Sequence, residues 1–238
     1  MPGHINTNTM TKKKLEESIL QTLSGKSILK QQVYDNTLAA FRLFKLSLTD
    51  LSLKLNQQLE TQDPRIRLVY REKSEFDMDL KVAGDLLVFN MHTNIFQFDR
   101  NHEIWKTDYI KQDVSAGFSG IISIYNFLAD SFKYSRTEDL GYLIARVFIN
   151  KDNHFFVQGK RQSGFGFTTL GSNILDRKAT DDIVMAAVQY CLDFDLLVPP
   201  YDSVKLINLA QIQQSISDAK MRTGKRLGFQ FRSDDVNE

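Results

Sequence analysis

Glu75-Phe76-Asp77-Met78-Asp79-Leu80-Lys81-Val82 is the stretch that decides the fold. Charged and apolar residues alternate along all of it, so that an extended chain has one apolar side and one polar side. This pattern predicts an antiparallel strand with one face in the core and one face in water. It also places Asp77 and Asp79 together on the solvated face.

More strands are predicted downstream of this stretch. They share β-branched or aromatic residues and flanking turn residues, and they cover 86–91, 95–98, 121–128, 142–149 and 154–160. The first two are joined through His92-Thr93-Asn94 and the last two through Lys151-Asp152-Asn153, which are loops short enough for hairpins. Strands that follow one another in this way predict a mainly antiparallel sheet.

Helices are predicted in the N-terminal quarter of the chain. Apolar residues at 15, 19 and 23 mark a first helix, and Ser24-Gly25 is a signal for its end. A long helix over 28–62 follows, and its apolar positions recur every 3.5 residues on average, as in a coiled-coil seam. Two interpretations stay open: the seam packs on its own domain, or it forms a dimer interface. The interface residues would be Phe41, Phe44, Leu48, Leu51 and Leu55.

The C-terminal part is predicted to contain a helix with Thr180 as its N-cap. Its inner face would carry Val184, Val188, Cys191 and Leu192. A strand over 203–209, a helix over 211–221 and a strand over 227–231 are predicted to follow. The fold class is therefore α+β, with N-terminal helices, one of them long, packed on a mainly antiparallel sheet, and with C-terminal helices.

Domain organisation follows from this layout. Residues 11–232 are predicted to form a single α+β domain, with a helical part over 11–62 and a sheet-containing part over 65–232. Residues 1–10 are predicted to be a disordered tail, and 233–238 a second tail. The chain has 238 residues, of which 42% are hydrophobic and 25% charged, and this composition is typical of a globular protein.

Charge and cysteine content narrow the function classes. The 30 Lys and Arg against 29 Asp and Glu give a net charge of +1, which disfavours a dedicated nucleic-acid binder. Because Cys191 is the single cysteine, an intramolecular disulfide and a Cys-rich zinc site are excluded. The sequence has no apolar run long enough to cross a bilayer, and its first residues lack the apolar segment of a secretory signal peptide. We therefore expect a cytoplasmic protein that does not enter a membrane.

The second strand of the 142–160 hairpin ends in Val157-Gln158-Gly159-Lys160. An apolar strand followed by this spacing resembles the second half of the PD-(D/E)xK nuclease pattern. The resemblance implies a Mg²⁺ site with Asp139 as the upstream acid, Gln158 in the second acidic position and Lys160 beside the scissile phosphate. Gln158 supplies no negative charge, so Mg²⁺ would bind weakly.

A glycine cluster follows this strand. Glycine-rich backbone near cations can hold an anion, and the predicted ligand residues are Lys160, Arg161, Gly164, Gly166 and Gly171. The spacing matches neither the Walker loop nor the Rossmann fingerprint, so a flexible loop or strand bend is the other interpretation.

Two further groups of residues are relevant to binding. The stretch 220–232 holds five cations and two aromatic residues and could contact nucleic acid, although alternation at 227, 229 and 231 favours an ordinary strand. Histidines do not occur at a metal-binding spacing on any predicted helix, and no metal site is predicted.

The function predicted from these patterns is binding without catalysis. The protein would be a regulatory or assembly component that self-associates through its long N-terminal helix, as a homodimer, or that binds another protein. The alternatives are a metal-dependent nuclease using Asp139, Gln158 and Lys160, and a sensor of a small anionic molecule. No cofactor is expected, except Mg²⁺ in the nuclease alternative, and nucleic acid is a possible but not favoured partner.

Overall fold

The computed structural model describes residues 7–159, 166–193, 201–206, 209–210 and 213. Within these ranges, one antiparallel sheet carries two long helices on one face, so the α+β prediction is confirmed. The predicted strand over 227–231, the basic stretch 220–232 and, apart from residue 213, the helix over 211–221 lie outside the described residues.

The helices are α1 (Thr7–Thr22), α2 (Ile28–Gln58), α3 (Asp108–Gln112), α4 (Ala129–Lys133), α5 (Arg177–Asp193) and α6 (Tyr201–Val204). Short 3₁₀ turns cover Pro64–Ile66, Glu103–Lys106 and Val114–Gly117, and a π-helical turn, Leu23–Ser27, joins α1 to α2. The first two helices therefore form one continuous rod. The strand predicted from residue 203 is wrong at its start, because α6 occupies that position.

The strands are β1 (Val69–Glu72), β2 (Asp77–Val82), β3 (Asp85–Met91), β4 (Phe96–Gln97), β5 (Phe118–Leu128), β6 (Tyr142–Ile149) and β7 (Phe155–Gly159). The sheet order is β1-β2-β3-β5-β6-β7, and β4 pairs with the start of β5. The predicted β6–β7 hairpin is confirmed. The predicted pairing of β4 with β3 is wrong, because β3 already has β2 on one side and β5 on the other.

The main core lies between the sheet and helices α2 and α5. Fully buried apolar side chains come from alternate strand positions and from one face of each helix, and they include Phe41, Phe44, Leu48, Met78, Leu80, Leu87, Phe89, Ile122, Val147, Phe155, Ile183 and Ala187. Helix α2 approaches β5 most closely where Thr37 lies on Gly120. A Cβ atom at Gly120 would be 2.0 Å from Thr37 Oγ1, so the helix can lie this close only because the strand has glycine there.

The opposite face of the sheet is partly covered by the segment between β4 and β5. A second apolar cluster there packs side chains of this segment on β6 and β7, and it contains Ile104, Trp105, Tyr109, Ile110, Ala116, Phe148, Phe156 and Leu170. The Phe148 and Phe156 rings stack with their centroids 4.9 Å apart. This cluster fixes the turn between β6 and β7 against the 103–117 segment.

Helix α5 begins three residues before the predicted N-cap. The Asp176 carboxylate accepts a hydrogen bond from the Ala179 backbone N–H at 2.8 Å, as an N-cap does. Thr180 lies inside the helix and is fully buried, and its hydroxyl oxygen accepts a hydrogen bond from the Ser47 hydroxyl of α2 at 3.0 Å. Val184, Val188 and Cys191 face the core as predicted, whereas Leu192 is exposed.

The prediction that Asp79 lies on a solvated face is wrong. Its side chain is 2% exposed and its carboxylate is 2.7 Å from Arg71 Nε and 3.6 Å from Lys73 Nζ. The reason is the edge strand β1, which pairs Arg71 directly with Asp79. The cations of this edge compensate the charge that the fold buries.

Candidate functional site

Helix α1 and the π-turn form an arm, which we define as residues 7–27. Every side chain described from Lys12 to Lys26 is exposed. The arm thus lies outside the packed core, although it is continuous with α2, which packs on the sheet.

The arm carries an apolar stripe, which we define as Leu15, Ile19, Leu20 and Leu23. Residues 15, 19 and 23 are four apart and lie on one side of the helix, and residue 20 lies beside them. Their exposed fractions are 61%, 50%, 64% and 54%. Single exposed leucines are common on proteins, but four on adjacent helical positions make a continuous apolar surface.

A π-helical turn lies between this stripe and the core-packed part of α2. In an unbroken α-helix, Leu23 and Phe41 would be about five full turns apart and would lie on the same side. The wider π-turn between them rotates the arm relative to the core-facing side of α2. The prediction that the helix ends at Ser24-Gly25 is wrong. Gly25 lies within the π-turn, and the space around it is open.

The base of the arm is held to the sheet by cations over an aromatic ring. Lys26 Nζ and Lys30 Nζ lie 5.6 Å and 5.9 Å from the centroid of the Phe118 ring. An open cleft of about 660 Å³ lies beside them, with Tyr34 and Phe96 in its lining. The arm is therefore anchored at its C-terminal end, while the apolar stripe stays uncovered.

The predicted interface residues lie further along the same rod. Phe41, Phe44 and Leu48 are fully buried, and Leu51 and Leu55 pack on the same core. The sheet and α5 cover this part of the seam, so its apolar period is accounted for within one chain.

A polar cluster surrounds the β6–β7 turn. The Tyr109 hydroxyl donates to Asp152 Oδ2 at 2.7 Å, accepts from Asn150 Nδ2 at 2.9 Å and lies 2.9 Å from His154 Nδ1. Because the tyrosine proton is given to Asp152, the network assigns the His154 proton to Nδ1. Lys151 completes the cluster with ion pairs to Asp113 at 2.9 Å and to Asp152 at 3.0 Å.

The titration of these groups indicates a structural role. Burial, together with the hydrogen bond to Asp152, raises the pKa of Tyr109 to about 12. The Ser115 hydroxyl and the Lys151 ammonium lower the pKa of Asp113 to about 2. Tyr109 thus keeps its proton at neutral pH and has three partners within the fold, which does not favour a nucleophile or a general base.

The residues of the nuclease-like pattern have separate partners. Asp139 lies before β6, where it accepts from the Ser131 hydroxyl at 2.6 Å and pairs with Arg136 at 2.9 Å. Gln158 lies on β7 and accepts through its amide oxygen from Arg146 of β6. Lys160 lies outside the described residues. Among the described residues, no three His, Cys, Asp or Glu side chains group closely enough to hold a metal ion.

Of the predicted anion loop, the structure describes Gly166 and Gly171, while Lys160, Arg161 and Gly164 lie outside the described residues. Both described glycines have positive φ, +70° and +92°. A Cβ atom at Gly171 would be 2.5 Å from the Tyr109 ring. Glycine at 171 is therefore required by packing on the polar cluster and by backbone conformation.

No protein family, curated protein or solved structure matches this chain. Within the described ranges, no helix is long and apolar enough to cross a membrane.

Asn150 and Arg146 take central positions that the sequence did not reveal. Asn150 lies between the predicted strand 142–149 and the predicted turn, and its buried amide joins the turn to Tyr109 and to the Ala116 carbonyl. Arg146 sits in the hydrophobic run of β6, where an isolated cation between apolar neighbours was the one available signal. Its pairing with Gln158 depends on the register of β6 and β7 and cannot be predicted from the sequence.

Proposed function

We propose that the protein acts by binding rather than catalysis, as an assembly component that pairs with a second copy of itself through the N-terminal arm. The observation that carries this proposal is the exposed apolar stripe on the arm. The seam further along α2 is used inside the chain, whereas the stripe presents four exposed apolar side chains on adjacent helical positions to a second chain.

Helix stability supports the proposal. In proteins, most of the stability of a helix comes from packing of its apolar face rather than from intrinsic propensity. The stripe has no packing partner among the described residues. Pairing two arms would give both stripes such a partner and remove them from water together.

The area of the stripe fits a small specific interface. Five apolar side chains are each exposed by half or more: Leu15, Ile19, Leu20 and Leu23 of the stripe, and Ile28 just beyond the arm. Together they offer about 500 Å² of apolar surface per chain and about 1,000 Å² per pair, which is the lower limit for a specific interface. An interface of this size, without the polar rim counted, predicts a reversible dimer.

Substitution of Ile19 tests the proposal. We expect Ile19→Glu to weaken self-association by about tenfold or more, because the dimer would bury two unpaired carboxylates. Sedimentation equilibrium over a range of protein concentrations measures the dissociation constant.

Leu53→Glu is the matched control, because Leu53 is an exposed leucine on α2, 59% accessible and away from the arm. It should leave the dissociation constant unchanged. A wild-type chain that is monomeric at every concentration would contradict the proposal, as would equal weakening by the two substitutions.

A further inference from the structure

A row of polar side chains crosses the face of the sheet opposite to α2 and α5. It runs through β2, β3, β5, β6 and β7, and the strand register places its members side by side: Asp77, Asn90, Ser123, Arg146 and Gln158. Directly paired residues on neighbouring strands point to the same face. The row is therefore one continuous feature of that face.

The face is covered on both sides of this row. On one side Phe148 and Phe156 lie under the Trp105 cluster. On the other side Phe127 packs edge-on against Phe132 of α4, with ring centroids 5.3 Å apart, and against Gly141. Between the two covers lie the polar row and half-buried Tyr125.

The two ends of the row carry opposite charges. At the β2 end, the Asp77 carboxylate accepts hydrogen bonds from the Asn90 amide and the Ser74 hydroxyl, and the neighbouring Asp79 pairs with Arg71 and Lys73. At the β6 end, half-buried Arg146 has no ion pair with any carboxylate of the described residues, and its neighbours in the row, Ser123 and Gln158, are neutral. A partly buried charge is normally paired, so this end has excess positive potential.

The Arg146 side chain is held in place by its neighbours. It donates through Nη2 to the Gln158 amide oxygen, and its guanidinium carbon lies 5.3 Å from the centroid of the Phe148 ring. A guanidinium has five N–H donors, and most of them remain unused by the described residues. Orientation by an acceptor and an aromatic ring is what a preformed anion site requires.

We propose that Arg146, Gln158 and Ser123 form a binding site for a small organic anion that bears a carboxylate or a phosphate. The guanidinium fork offers two parallel donors, which match either group. Because the Gln158 oxygen is used by Arg146, its amide N–H groups are oriented as further donors. The Ser123 hydroxyl has no hydrogen bond to a described residue and is the third donor, and the Tyr125 ring borders the site where an apolar part of the ligand would lie.

The site is separate from the arm, and its test does not depend on self-association. Thermal unfolding of the full chain would be followed at increasing concentrations of benzoate, phenyl phosphate and the neutral benzyl alcohol. A ligand that binds the native state raises the melting temperature with concentration. We expect benzoate or phenyl phosphate to do so and benzyl alcohol not to; which of the two binds more tightly identifies the preferred anionic group.

Variants then locate the binding. Arg146→Gln should weaken the binding of the effective probe by about tenfold or more, and Arg146→Lys, which keeps the charge but loses the fork, should weaken it less. Arg42→Gln, at an exposed arginine of α2, should bind as the wild type does. Absence of a shift with both anions would overturn the proposal, as would unchanged binding in folded Arg146→Gln and Arg146→Lys proteins.

Discussion

Replacement of Asn150 by alanine is expected to lower the free energy of unfolding by about 3–4 kcal/mol. Asn150 is fully buried, and its side chain makes four hydrogen bonds. Its oxygen accepts from the backbone N–H groups of Asp152 and His154, both at 3.0 Å. Its Nδ2 donates to the Tyr109 hydroxyl at 2.9 Å and to the Ala116 carbonyl at 3.3 Å. Alanine would leave these groups without their partner in the interior.

Urea unfolding at a fixed protein concentration measures this loss. Asn94→Ala is the matched control, because Asn94 lies in the turn after β3, is exposed and has no side-chain hydrogen bond to a described residue. The control should change the free energy of unfolding by less than about 0.5 kcal/mol. If Asn150→Ala costs no more than Asn94→Ala, the amide does not hold the turn in place.

Gly120→Ala is expected to cost about 3 kcal/mol of unfolding free energy, through overpacking. The added methyl would meet Thr37 Oγ1 at 2.0 Å and the Thr37 Cβ and Cγ2 atoms at 2.8 Å. Thr37 is fully buried and its hydroxyl donates to the Val33 carbonyl at 2.7 Å. To accept the methyl, α2 would have to move off the sheet along its best-packed part.

A double-mutant cycle with Thr37→Ala tests the cause of this loss. Because alanine at 37 removes the closest atom, the two substitutions together should cost less than the sum of the single costs. Gly25→Ala is the control, since a Cβ atom there meets nothing within 4 Å and alanine favours the helix. If the two costs are additive, the clash with Thr37 is not the reason that alanine at position 120 destabilises the protein.

The sequence predicted the elements whose patterns are local. Alternation over 75–82 and the β-branched runs around the Lys151-Asp152-Asn153 turn led to β2, β6 and β7, and the 3.5-residue period led to α2. The choice between intrachain and interchain packing of that seam was not decided by periodicity. The period records which side of a helix is apolar but not what covers it.

Features that depend on tertiary contacts were missed. β1 has only four residues, most of them exposed, so it has no clear strand pattern. Its role is to place Arg71 beside Asp79 at the edge of the sheet. The Ser24-Gly25 stop signal was overridden by a π-turn that keeps the rod continuous. Gln158 was noticed for its sequence position, but its partner Arg146 follows from the register of β6 and β7. These features depend on contacts between residues that are far apart in the sequence, so local sequence patterns do not predict them.

The most direct test of arm pairing is a distance between two arms. A nitroxide on Ser18→Cys would report it, because the native Cys191 is fully buried and protected from labelling. Paired helix axes lie about 8–10 Å apart, so the two labels should show dipolar coupling at distances of about 15–30 Å. Adding Ile19→Glu to the labelled chain should reduce the coupled fraction. Absence of coupling in the wild-type background, at concentrations up to those used for sedimentation, would contradict assembly through the arm.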